Sequence, residues 1–134
     1  MKLALLLAFI FIEAGAASPA ADTPPRTTRD GVYTAPQAER GKLVYKRACV
    51  ECHPLDWYQG EQMKAWEGAP IFGLFELTMN RMPPQNPGSL KRREYADILA
   101  FILSLNDQPL GSEELPSQES ALTHIVYFKG RNKP

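Results

Sequence analysis

The run Cys49-Val50-Glu51-Cys52-His53 constrains this chain more than any other feature. A C-x-x-C-H run reads as a site of covalent haem attachment. The two thiols add across the two vinyl groups of the porphyrin, and the adjoining imidazole turns beneath the iron as its proximal ligand. The spacing follows from that chemistry. Two intervening residues let both sulfurs reach one porphyrin edge, and the histidine must follow at once to pass under the ring. Cys49 and Cys52 are the only cysteines, so none is left for a structural disulfide. A chain tied in this way has to fold around a large apolar plate.

Two plainer readings of the same residues stand beside this one. A C-x-x-C pair can be a thioredoxin-like redox disulfide, which needs a βαβ setting. No strand-rich segment surrounds the motif. The pair could also supply half of a structural zinc site, but such sites take four ligands. Besides His53 the chain has only one histidine, His124. The expected cofactor is therefore one haem c, held covalently.

The N-terminus agrees. Lys2 precedes an unbroken apolar run from Leu3 to Ile12, and small residues Ala14-Gly15-Ala16-Ala17 follow Glu13. This is the basic, apolar, small-residue order of a secretory signal peptide. The alternative is an uncleaved anchor, but the run is shorter than the about 20 residues a spanning helix needs. Cleavage after Ala16 or Ala17 is expected, with a periplasmic or otherwise exported product and no membrane span in the mature chain. Export suits a thioether made outside the cytoplasm.

Removing residues 1–16 leaves 118 of the 134 residues, enough for one small domain. Residues 17–35 hold Pro19, Pro24 and Pro25 among Thr and Arg and are expected to be a flexible leader. Residues 36–108 form the domain, and 109–134 a tail partly packed on it. A core this small is barely self-sufficient, so the haem-free chain is expected to fold poorly. The formal charge is zero, which argues against a nucleic-acid partner. Arg40, Lys42, Lys46 and Arg47, and later Lys91-Arg92-Arg93, are either solvated helix faces or a docking rim around an exposed haem edge.

Periodicity predicts an all-α domain with three main helices around the haem. The first runs from about Pro36 to Ala48, with Pro36 in its first turn and Gly41, Val44 and Tyr45 facing inward. A glycine inside a helix is costly, and close approach by another helix would explain Gly41. The second runs from about Pro70 to Asn80, its stripe carrying Ile71, Leu74, Phe75, Thr78 and Met79. The third runs from about Lys91 to Leu105, with Ser89 as its expected N-cap and Tyr95, Ile98, Leu99, Ile102 and Leu105 as its stripe. Pro109 follows its end. In the tail, Leu122, Ile125, Val126 and Tyr127 suggest a short packed piece, helical or extended.

The second axial position separates a carrier from a haem catalyst or ligand sensor with an open site. Met/His coordination raises the potential and fills the iron. Met63, Met79, Met82 and His124 are the candidates. Met82 leads because it opens Met82-Pro83-Pro84-Gln85-Asn86-Pro87-Gly88, where the prolines fix a stiff, extended path. Met79 is the runner-up, more simply a core residue of its stripe. Met63, near Trp57 and Trp66, reads as a gap filler, and His124 as a surface histidine.

The motifs Gly41-x-x-x-Tyr45, Cys49 to His53, Met82-Pro83, Pro87 to Leu90 and Tyr95 to Asn106 make the chain resemble a class I c-type cytochrome with one haem. The resemblance covers about residues 36–115, including Gly111-Ser112-Glu113-Glu114-Leu115. It implies a small cytochrome c-like fold, with the first and last helices crossing at Gly41 against the Tyr95, Ile98 and Ile102 region, and Met82 as distal ligand. It also implies a one-electron carrier, not an enzyme, with redox protein partners: a periplasmic dehydrogenase as donor and an oxidase or another cytochrome as acceptor. A tightly held dehydrogenase subunit, using the tail after Asn106 as an arm, is the alternative. One departure matters. The stretch between His53 and Met82 is short and carries Trp57-Tyr58 where relatives often have glycine-rich loops, so their docking surface is not carried over.

Overall fold

The computed structural model describes residues 25–130; the expected signal peptide and residues 17–24 of the expected leader lie outside them. Where the chain enters its first long helix, α1 (Ala35–Ala48), the Thr34 hydroxyl accepts a hydrogen bond from the Gln37 N–H at 3.3 Å. Pro36 sits in the first turn, where its missing N–H costs nothing. Short α2 (Glu61–Lys64) follows, then α3 (Ile71–Arg81), α4 (Arg92–Leu105) and short α5 (Glu119–Leu122). The domain is helix-rich, and the three helices longer than ten residues lie close to the positions periodicity predicts.

Ser89 is not the N-cap of α4. Its own N–H bonds to the Asn86 carbonyl inside the preceding loop. Lys91 takes the cap position, and the Glu94 carboxylate reaches back to accept its N–H at 2.8 Å. Helix α4 is the centre of the core, with every residue from Tyr95 to Leu103 buried. That is wider than one stripe, because elements pack on several sides of it. Helix α1 lies against it at Gly41, where a Cβ would fall 1.8 Å from the Asp97 carbonyl oxygen and 2.9 Å from the Phe101 Cβ. The crossing is therefore at Asp97 and Phe101, just beside the Tyr95, Ile98 and Ile102 face. Asp97, only 5 % exposed, is held there by a two-pronged pair with Arg40 at 3.0 and 3.1 Å.

Two expectations need correction. Residues 25–34 are not a flexible leader: Thr28, Val32 and Tyr33 are buried, and the Tyr33 hydroxyl donates to the Gln108 carbonyl at 2.9 Å. Val32-Tyr33 is an apolar pair too short to show any periodicity. Nor is the domain purely helical. Strands β1 (Arg26–Thr27) and β2 (Ile125–Val126) pair in parallel, Arg26 opposite Ile125 and Thr27 opposite Val126. The tail is both helical and extended, α5 followed by β2, and Leu115, Leu122, Ile125 and Tyr127 are buried against the domain.

Candidate functional site

Helix α1 ends at the cysteine motif, and its last turn is followed at once by another. The Cys49 and Val50 N–H groups both reach the Tyr45 carbonyl, and the Cys52 and His53 N–H groups both reach the Cys49 carbonyl at 3.1 and 2.9 Å. The motif is thus a single closed turn, with the Cys52 and His53 backbone folded onto Cys49. Buried Tyr45 clamps it: its hydroxyl donates to the His53 carbonyl at 2.9 Å, and its ring packs 5.5 Å from Phe101 on α4. Burial pushes the Cys49 thiol up, opposed by a hydrogen bond from the Tyr58 hydroxyl. Burial likewise pushes the Tyr58 phenol well above its ordinary value.

Met82 closes α3. Its N–H still bonds to the Thr78 carbonyl at 2.9 Å, but its backbone is already extended. Tyr95, fully buried on α4, holds the loop that follows at both ends. Its hydroxyl donates to the Met82 carbonyl at 2.7 Å and accepts from the Leu90 N–H at 3.4 Å. The arrangement mirrors the Tyr45 clamp. One buried tyrosine from each helix of the crossing pair fixes the carbonyl of one candidate axial residue. Sequence reasoning placed Tyr45 and Tyr95 on inward faces but missed what their hydroxyls do, since neither acceptor follows from spacing.

Two cavities meet between these clamps. The first, about 280 Å³, is lined by Cys49, Cys52, Leu90, Tyr95 and Ile98, with the charged residues Lys46, Arg47 and Glu51. The second, about 230 Å³, is walled by Trp57, Met63, Trp66, Leu74 and Leu77. Each comes close to the lower end of the roughly 300–1,000 Å³ range of small-molecule and cofactor sites. His53, Tyr58, Thr78 and Met82 line both. Gly73 makes room for the second, since a Cβ there would meet the Trp66 ring at 3.1 Å.

The donor set fits a haem. Two thiols and an imidazole sit on one turn, and the His53 Nδ1 is buried without a hydrogen-bond partner. A thioether lies across a largely apolar space. The other sequence candidates sit apart from Met82. Met79 lines neither cavity, and its sulfur accepts from Arg92 at 3.6 Å. Met63 is buried in the second cavity only, and His124 is exposed on the far segment. The rival readings of the cysteines find no support. Among the described residues no three His, Cys, Asp or Glu side chains converge to hold a metal ion, and no strand lies near Cys49 to make a βαβ unit.

A family model described as cytochrome c oxidase, cbb3-type, subunit III matches residues 36–102. The match takes in Gly41, the cysteine motif, Met82 and most of α4. No curated protein and no solved structure gives a match. Half of the chain is covered, and the chain belongs to this family of c-type cytochrome domains.

Proposed function

We propose that this c-type cytochrome is an exported one-electron carrier that holds a single haem through thioethers at Cys49 and Cys52, with His53 and Met82 as axial ligands. The observation that supports it most is that His53 and Met82 both line both cavities, as two groups gripping one flat guest would. When bound, the haem supplies an iron that changes oxidation state with both axial positions filled. The protein's part is positioning and exclusion. Tyr45 and Tyr95 fix the backbone beneath the two ligands, so little has to reorganise as charge changes. Met63, Trp66, Leu74 and Leu77 keep water from one side. Lys46 and Arg47, in the lining of the cavity that holds the cysteines, offer charge for a transient encounter of the small size usual for redox pairs. The partners are a periplasmic dehydrogenase as donor and an oxidase or another cytochrome as acceptor.

The test is a spectrum of the holoprotein beside Met82→Ala. The wild-type ferric protein should show the methionine-to-iron charge-transfer band and resist carbon monoxide when reduced. Met82→Ala should lose the band, bind carbon monoxide, and fall in potential by on the order of 0.1 V, within the ≈ 0.8 V range that axial ligands span. Retention of the band would move the ligand to Met63, the other methionine at the cavities. Release of the pigment into acidified organic solvent would defeat covalent attachment.

A second reading, a subunit of a larger redox complex, draws on the family's description as an oxidase subunit. Against it, the tail's apolar residues Leu115, Leu122, Ile125 and Tyr127 are spent inside this chain, which leaves a poor arm. Gel filtration of the native protein separates the two.

A further inference from the structure

Trp57, the residue at which the chain departs from its resemblance, has a place the carrier reading does not use. It lies in the 3₁₀ turn Leu55–Tyr58 directly after the motif. One side of it reaches the His53 ring, with centroids 5.5 Å apart. The other opens on a shallow surface groove of about 310 Å³ lined by Pro54, Asp56, Gln59, Glu61 and Gln62. Trp57 and Gln62 are the two side chains shared by this groove and the second cavity, so they form the wall between solvent and the proximal imidazole. A tryptophan left 47 % exposed beside a polar rim is the kind of residue that anchors interfaces.

The groove carries carboxylates and, among the described residues, no cation in its lining, whereas the first cavity mixes both signs. Asp56 and Glu61 line the groove. Glu61 is paired with Lys64, and the Asp56 carboxylate has no ion pair among the described residues. The first cavity is instead lined by Lys46 and Arg47 together with Glu51, and Arg47 is paired with Glu94. Openings that differ in their charges select different partners and steer them to different places.

We propose that Trp57 is a second docking point for a redox protein that presents a lysine or arginine over the indole face, between Asp56 and Glu61. Such a cation is attracted by the ring and by the carboxylates together. One electron passes between that partner and the protein across the Trp57–His53 contact. One side is oxidised and the other reduced by a single electron, and no bond forms or breaks. The proposal rests on the carrier reading above and adds a partner chemistry and a face to it.

The test uses reduced holoprotein and two outer-sphere oxidants: tris(1,10-phenanthroline)cobalt(III), an aromatic cation, and hexacyanoferrate(III), an anion. Trp57→Leu should slow oxidation by the cobalt complex about fivefold, and Trp57→Phe should recover most of it. The Asp56→Asn, Glu61→Gln double variant should slow it about threefold at low ionic strength, with the difference vanishing near 1 M salt, where the screening length is about 3 Å. Rates with hexacyanoferrate(III) should not fall in any variant, and should rise in the double variant only as far as its two lost negative charges dictate at low salt. Cobalt rates equal to wild type in all variants would overturn the proposal, as would equal slowing of both reagents. Should Trp57→Leu fail to take up haem, the surface charge variant alone decides. A wild-type protein without covalent haem would sink the carrier reading itself, an outcome distinct from either.

Discussion

Tyr95 shows how much one hydroxyl can hold. Replacing it with phenylalanine keeps the buried ring but leaves the Leu90 N–H without its partner and the Met82 carbonyl with only the Gly88 N–H, at 3.4 Å. Unsatisfied buried polar groups cost about 1–3 kcal/mol each, and the loop has some freedom to find water. Tyr95→Phe is therefore expected to lower the unfolding free energy by about 2 kcal/mol, and to lose the methionine charge-transfer band at a lower temperature than global unfolding. Denaturant titration and a thermal scan of that band check both; a band that melts only with the whole protein would deny Tyr95 a positioning role. At this scale the sequence was legible where covalent chemistry dictates spacing. Cys49, Cys52 and His53 stand out there and lie on one turn, and Met82, preferred to Met79 for the prolines after it, lines both cavities with His53. The tyrosine clamps were not legible. Tyr95 reaches Met82 only because α4 lies under the loop, and no local pattern records that.

At the scale of elements, the α1–α4 crossing tolerates no side chain at residue 41. Overpacking in a close-fitted core typically costs about 1–3 kcal/mol, and a Cβ 1.8 Å from a backbone carbonyl cannot be relieved by a rotamer change. Gly41→Ala should cost about 3 kcal/mol or more and cut the yield of haem-loaded protein sharply; a yield and midpoint near wild type would mean the helices part more easily than their packing implies. The start of α4 offers a gentler test. The Lys91 backbone N–H holds the Glu94 carboxyl below its usual range, with Arg47 adding to the effect. Because its folded value is depressed, Glu94 contributes stability above the unfolded value of about 4.3, and that contribution is lost as pH falls through the folded value. Glu94→Gln should thus cost about 0.5 kcal/mol at pH 7 and nothing at pH 2. Urea midpoints at the two pH values decide it, and a constant difference would rule out the carboxylate as the cause. The same helix shows why boundaries resist reading: a serine two residues ahead looked like the cap, while the actual cap is an acid reaching back from the first turn.

For the whole molecule, the two ends of the described chain depend on one another. Parallel strands β1 and β2 join residues nearly a hundred positions apart. The Thr28 hydroxyl both donates to the Phe128 carbonyl at 3.0 Å and accepts its N–H at 3.1 Å, and the Arg29 guanidinium reaches the Lys129 carbonyl at 2.8 Å. The tail in turn braces the second cavity, because Tyr127 exchanges backbone bonds with Gly68 and Ala69 at 2.8 Å each, just beyond Trp66. None of this could be read from the sequence, since two-residue strands carry no alternation and parallel partners across a whole domain leave no turn between them. Both segments lie outside the 36–102 family match, and together they close a small core. Leu122, with no exposed surface, is the plug of that closure. Truncating it leaves a cavity, and buried Leu→Ala changes cost about 2–5 kcal/mol. Leu122→Ala should lower the stability of the holoprotein by about 3 kcal/mol and also speed trypsin cleavage at Arg26 and Arg29, far away in sequence. A tail that served only as an appended arm would give neither effect, so intact protection at the N-terminal arginines in the variant would show that the ends fold independently.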